Sequence, residues 1–164
     1  MKRRQVIGLA AAAVALSGCA TKFRDYNGPQ VTRLLVLKDR RKLYLLNGQR
    51  SVRSFDIELG FAPVGHKQVE GDGKTPEGHY IIDRRNPNSA FHLSLGISYP
   101  QPSDVLSARE LGQGPGGDIF IHGTPSMFAK RGPDWTWGCI AVTNREMEDI
   151  YAMVQVGTPI SIYP

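Results

Sequence analysis

Short runs in which apolar and polar side chains alternate fill the chain from Val31 onward, and a period of two is the spacing of a strand with one buried face. VTRLLVLK at 31–38, a turn at Asp39-Arg40 and KLYLLN at 42–47 predict a hairpin, and Asn47-Gly48 signals a turn before the next run. In that run Arg53, Phe55, Ile57 and Leu59 alternate with Val52, Ser54, Asp56 and Glu58. Further strands are expected at 79–83 (HYIID), 91–95 (FHLSL), 118–122 (DIFIH) and 159–163 (PISIY), the last closing the sheet. One helix is signalled. Thr143-Asn144 can cap it, Glu146, Glu148 and Asp149 suit its positive end, and Met147, Ile150, Tyr151 and Val154 recur at helical spacing before Gly157. That stripe reads as core packing. The expected fold is mainly β, a compact sandwich- or barrel-like domain with one short C-terminal helix. The segments 61–78, 98–117 and 124–138 read as long irregular loops, which in a compact domain are usually functional or mobile.

The first twenty residues break this pattern. MKRRQVIGLAAAAVALSGCA has three basic residues, an apolar run of about ten and then small residues, the layout of an export signal. Leu16-Ser17-Gly18-Cys19 resembles a lipoprotein cleavage box, so residues 1–18 are expected to be a signal peptide, Cys19 a lipidated first residue, and residues 19–30 a polar tether. Residues 31–164 then form the domain. Arg3-Arg4 also resembles a twin-arginine signal, which leaves the export route open. The expected location is the periplasmic side of a membrane, with the lipid as anchor; Ala20 after Cys19 favours an outer over an inner membrane.

Composition narrows the function. With 164 residues, 18 Gly and 11 Pro, the chain suits one domain that turns often rather than a bundle of long helices. Its formal charge is +5, from 20 Lys and Arg against 15 Asp and Glu. Losing Lys2, Arg3 and Arg4 with the signal leaves 17 bases against 15 acids. No basic stripe interleaved with aromatics remains, so nucleic-acid binding is not expected. His66, His79, His92 and His122 show no ligand spacing, so no metal or other cofactor is expected either.

Chemistry concentrates in residues 119–144, IFIHGTPSMFAKRGPDWTWGCIAVTN. A strand delivers His122, and Thr136-Trp137-Gly138-Cys139 leads into apolar Ile140. A thiol is a modest nucleophile until ionised, and an imidazole can take its proton. Gly138 leaves room for the N–H groups of Gly138 and Cys139 to face a tetrahedral oxyanion. From residue types alone, inert packing of Cys139 and an ordinary hydrogen-bonded His122 remain open readings. With Cys19 lipidated, Cys139 has no partner for an intramolecular disulfide.

The order His122-Gly123-Thr124, a loop, then Thr136-x-Gly138-Cys139-Ile140 resembles the signature of the L,D-transpeptidase catalytic domain, or YkuD, family. Gly71-Asp72-Gly73-Lys74-Thr75-Pro76-Glu77-Gly78-His79-Tyr80 resembles a second block of that family, and Phe91 to Leu95 with Ile97 to Pro100 a third. The resemblance implies Cys139 as nucleophile, His122 as general base and acid, the Gly123 carbonyl as orienting partner of His122, and an oxyanion hole at the N–H of Gly138. It implies acyl transfer on peptidoglycan stem peptides through a thioester, with hydrolysis at the same site, or binding without turnover, as alternatives. Two positions depart from the family pattern: Trp137 replaces a histidine, and Ala141 replaces an arginine. Arg131 and Arg85 are candidate replacement cations; Thr136, Trp137 and Arg131 are the expected substrate contacts. Trp135 and Trp137 are expected to wall the thiol or to pack their loop, Asp118 to share the face of His122 while standing in solvent or interacting with the site, and the loops 61–78 and 108–117 to shape the cleft. The sequence is silent on oligomeric state.

Overall fold

Three antiparallel strands start the sheet. β1 (Arg33–Leu37), β2 (Lys42–Asn47) and β3 (Arg50–Asp56) form a meander whose tight second turn carries Gly48 at a positive φ of 59°. Leu34, Val36, Leu43, Leu45 and Phe55 are buried, so the alternation seen in the sequence selects one face as core. The other side of β1 takes a parallel partner, the C-terminal β8 (Pro159–Tyr163), which pairs antiparallel with β4 (Gly78–Asn86). Beyond β4 come β5 (Ser94–Ile97), β6 (Phe120–His122) and β7 (Ile140–Ala141), giving the order β3-β2-β1-β8-β4-β5-β6-β7. The molecule is a computed structural model that describes residues 21–128 and 130–164; the expected signal peptide and Cys19 lie outside the described residues. Among those residues no helix is long and apolar enough to cross a membrane.

The sandwich- or barrel-like expectation resolves into one curled sheet, a half-barrel whose edges are tied together. Chain continuing from β3 reaches the far edge: the Glu58 N–H donates to the Ala141 carbonyl (2.9 Å) and the Ala141 N–H to the Glu58 carbonyl (2.8 Å). One turn on, the Thr136 N–H donates to Leu59 O (3.1 Å) and the Phe61 N–H to Thr136 O (3.0 Å). Asp134 braces this seam. Its carboxylate accepts the Leu59 N–H at 2.9 Å and holds the Arg41 guanidinium at 2.6 Å, linking the first hairpin, the β3 continuation and the loop before β7.

The helix over the core is α2 (Asn144–Met153). Thr143 Oγ1 accepts the Glu146 N–H (3.3 Å) while the Glu146 carboxylate accepts the Thr143 N–H (3.0 Å), a reciprocal cap. Met147, Ile150, Tyr151 and Met153 are buried. The helix ends at Met153, short of Gly157, which sits in the turn into β8.

Four expectations change. The segment 98–117 carries a second helix, α1 (Pro102–Glu110), with only Asp104 and Ala108 buried. It has no apolar stripe to read; Pro102 in the first turn and the Asp104 carboxylate accepting the Gln101 N–H (2.8 Å) start it instead. FHLSL begins its strand only at Ser94, because His92 takes a left-handed φ of 73° and turns the chain. β3 stops at Asp56; Ile57 and Leu59 stay buried beyond it, and the chain there pairs only through isolated bridges at Glu58 and Gly60. Residues 21–30 are no free tether: Lys22 and Arg24 are bonded to the 86–92 turn and to α2.

Replacing Asp134 with Ala orphans the Leu59 N–H and the Arg41 charge together, and should cost about 2–3 kcal/mol in urea denaturation. Asp134→Asn keeps an acceptor and tolerates the positive φ of 55°, so its loss should be less than half as large.

Candidate active site

Strand register brings the thiol and the imidazole together. β6 and β7 are parallel, with Ile121 beside Ile140 and His122 beside Ala141. Extending that register by one residue sets Cys139 beside Phe120, on the same face as His122 and diagonal to it. Ile121 and Ile140 point the other way into the core. The Phe120 N–H donates to Sγ at 3.4 Å, and Sγ donates to the Asp118 carbonyl at 3.5 Å. No hydrogen bond joins Sγ to the ring of His122 among the described residues. Both side chains line one cavity of about 510 Å³.

The ring is fixed from behind. His122 Nδ1 lies 2.7 Å from the Gly123 carbonyl, which only accepts, so Nδ1 carries the proton and Nε2 keeps its lone pair for the cavity. Phe91 lies against the ring at 4.5 Å between centroids and Trp135 at 5.8 Å. Burial pushes the imidazole below its ordinary range, and the hydrogen bond to Gly123 offsets this only in part. Burial pushes the Cys139 thiol up, with the Asp118 charge adding to it and the Phe120 N–H and Lys67 opposing. The free site is therefore a neutral thiol beside a neutral imidazole at pH 7.

Gly138 is at φ 123°, and a Cβ there would stand 2.6 Å from the Lys74 carbonyl, so backbone from 61–78 packs where any larger residue would need space. Gly60 is enclosed in the same way by the Gly73 carbonyl, and its N–H donates to Thr75 Oγ1 at 3.2 Å. The Asp72 carboxylate organises this loop, accepting from Lys67 Nζ and the N–H groups of Gln68, Val69 and Lys74. Burial alone would raise Asp72; those donors outweigh it and hold the carboxyl below its ordinary range. The GDGKTP block thus supports the Gly138-Cys139 turn from behind.

Several expected roles shift. The Gly138 N–H donates to Thr136 Oγ1 (3.1 Å), and the Thr136 hydroxyl donates to the Cys139 carbonyl (2.7 Å). Gly138 is therefore occupied as a donor and buried Thr136 braces the turn, whereas the Cys139 N–H has no acceptor among the described residues. Trp137 borders the cavity at 70% exposure, its ring edge-on to Phe61 at 5.0 Å. Trp135 lines the cavity as well, stacked on Phe128 at 4.9 Å. Arg131 lines the cavity with its guanidinium over Phe128 at 4.7 Å. Arg85 does not; it lies over Tyr151 and bonds the Val154 carbonyl. Asp118 borders the cavity, but its carboxylate points to solvent and pairs with Arg84 at 2.9 Å. Neither 61–78 nor 108–117 lines the cleft. The 86–94 turn, with Phe91 and Ser94, does so together with the 126–137 arch. Phe91 stands in a block that resembles the family but reads only as strand, and Phe128 carries no signal in the sequence. The other histidines are engaged separately, His66 near Asp104, His79 on Ser161 and His92 on Glu148.

The half-barrel thus holds a thiol, a backbone-oriented imidazole and an aromatic wall in one cleft. The L,D-transpeptidase catalytic domain, YkuD, matches residues 32–162, and the chain belongs to that family. The Escherichia coli K12 protein named "Putative L,D-transpeptidase YafK" is 30% identical over 110 residues, 62% of this chain and 39% of that protein. Among solved structures, the helical cell shape determining protein Pgp2 of Campylobacter jejuni (K307A mutant) superposes with a TM-score of 0.65 at 28% identity, covering 84% of this chain and 48% of that one. Bd1075 of Bdellovibrio bacteriovorus gives 0.58 at 27% identity, covering 82% and 48%. The chain spans less than half the length of these relatives.

Alkylation of Cys139 by iodoacetamide, followed by peptide mass mapping, should rise with pH and reach its midpoint above about 8.5, the ordinary thiol value. A fast plateau at pH 6–7 would show an ion pair and overturn the neutral resting state.

Proposed function

We propose that this chain is an exported cysteine acyl-transferase acting on peptidoglycan stem peptides, with Cys139 as nucleophile and His122 as general base and acid. The observation that carries the reading is the cavity shared by Sγ and a ring whose tautomer the Gly123 carbonyl sets. Nε2 takes the thiol proton as Sγ attacks the carbonyl carbon of the amide between the third residue, a diamino acid, and D-alanine at position four. The oxyanion meets the Cys139 N–H. The C–N bond breaks, His122 returns the proton to the leaving amine, and D-alanine departs, leaving a thioester. An amine acceptor, deprotonated by His122, attacks that thioester; its new amide forms as the C–S bond breaks and Sγ regains a proton. Water in place of the amine gives a trimmed tripeptide.

The neutral resting pair suits this order. Proton transfer is coupled to attack, so turnover requires an unprotonated ring and should fall as pH drops through the depressed imidazole titration. Arg131, which lines the cavity with its guanidinium over Phe128, is the cation assigned in this reading to a substrate carboxylate. Trp137, at the rim, supplies an apolar contact face. The leader and Cys19 give export and a lipid anchor in this reading, which holds the domain on the periplasmic side, at the outer membrane. The likeness to Pgp2 supports a part in cell shape through the wall.

Incubation with disaccharide-tetrapeptide muropeptides, read by mass spectrometry, should yield cross-linked dimers. Tripeptide alone would make the enzyme a hydrolase, and no product would leave a binding domain. Cys139→Ala should abolish product, and His122→Ala should lower the rate by about 10²–10⁴-fold. Arg131→Ala should raise KM about tenfold with kcat nearly unchanged.

A further inference from the structure

Residues 21–30 form no helix or strand, yet Lys22 and Arg24 are held by the domain. Lys22 Nζ donates to the carbonyls of Pro87 (2.6 Å) and His92 (3.0 Å). The Arg24 guanidinium spans two carboxylates on α2, Glu148 at 2.6 Å and Asp149 at 2.8 Å. Glu148 reaches back with its other oxygen to His92 Nε2 at 2.9 Å. Phe23 lies against Tyr151 with ring centroids 6.3 Å apart. The 86–92 turn is thus clamped from both sides, by the leading segment and by α2.

That turn supports the base. The Phe91 ring packs 4.5 Å from the His122 ring, and the Phe91 carbonyl accepts the Gly123 N–H at 3.1 Å. Gly123 in turn offers its carbonyl to His122 Nδ1. Between Phe91 and the clamp stands His92, whose left-handed φ of 73° is unfavourable for a residue with a Cβ and persists only under outside restraint. A turn held in such a conformation relaxes when its restraints are removed.

We infer that Lys22 and Arg24 are positioning residues for the His122 imidazole: by pinning the 86–92 turn to α2 they hold Phe91 against the ring and the Gly123 carbonyl at Nδ1. The inference rests on His122 being the base. It is distinct from simple local stabilisation, because exposed ion pairs of this kind add little to global stability. Release of Phe91 admits water to the ring, whose burial is what depresses its titration. The titratable and charged groups sharing the cavity with His122 are Cys139, Asp118 and Arg131; those of the clamp are Lys22, Arg24, His92, Glu148 and Asp149, the last also paired with Arg53 at 2.7 Å.

The test uses the full chain with Lys22→Ala and Arg24→Ala combined, beside the charge-conserving pair Lys22→Arg and Arg24→Lys. The His122 ring is titrated by NMR without substrate, and kcat and KM are measured on the muropeptide. In the alanine pair the ring titration should move up by roughly half a pH unit or more toward the ordinary histidine value. Its kcat should fall roughly 3- to 10-fold with KM within twofold, and the charge-conserving pair should recover most of both effects. An unchanged ring titration and kcat in an alanine pair with native circular dichroism overturns the clamp, as does a charge-conserving pair impaired to the same degree. If the double variant does not fold, Lys22→Ala alone is read by the same criteria. Wild-type turnover by His122→Ala would instead remove the base assignment, while the substrate-free titration still reports on the clamp.

Discussion

The seam between residues 58–61 and 136–141 is the constraint on which the rest depends. It joins the continuation of β3 to the β7 edge through paired backbone hydrogen bonds, and so converts an open eight-stranded sheet into a curled half-barrel. An open edge at β7 would be two residues long and exposed, a poor support for a reactive side chain. Tied to Glu58 and Leu59, and braced by the Asp134 carboxylate, the same edge carries Cys139 at a fixed register beside β6. The close approach of Gly60, Gly73, Lys74 and Gly138 backbones belongs to the same seam, which is why this family block is rich in glycine.

Burial then decides the chemistry of the pair that the seam positions. Desolvation acts in opposite directions on the two groups, disfavouring imidazolium and thiolate alike, so the resting site stores no ion pair. Phe91 and Trp135 lie against the ring, with Phe128 stacked on both, and the Gly123 carbonyl supplies orientation without adding a full negative charge. A carboxylate in that place would raise the imidazole titration; a carbonyl dipole raises it far less. The cleft thereby leaves Nε2 as the unprotonated ring nitrogen.

Much of the architecture was legible because burial on one face imposes a period of two. The β1–β2 hairpin, the β8 strand and the capped α2 follow from alternation, turn residues and a helical stripe, all local properties. α1 was not legible, since Leu106 points to solvent and no apolar stripe marks it. His92 turned the chain out of a run that reads as a strand, because long-range contacts from Lys22 and Glu148 hold a conformation its local propensity disfavours. The same contacts make residues 21–30 part of the domain where polarity alone suggested a tether.

At the site, the order of His122, Gly138 and Cys139 along the chain named the candidate groups, since a thiol and an imidazole are chemical identities that no fold alters. Which N–H remains for an oxyanion, which arginine reaches the cleft, and which aromatics desolvate the ring were decided only in three dimensions. Thr136 took the Gly138 N–H, Arg85 turned to Tyr151, and Phe91 arrived from a distant turn. Each of these outcomes depends on competition among partners far apart in sequence, whereas residue identity and periodicity are properties of the chain read alone.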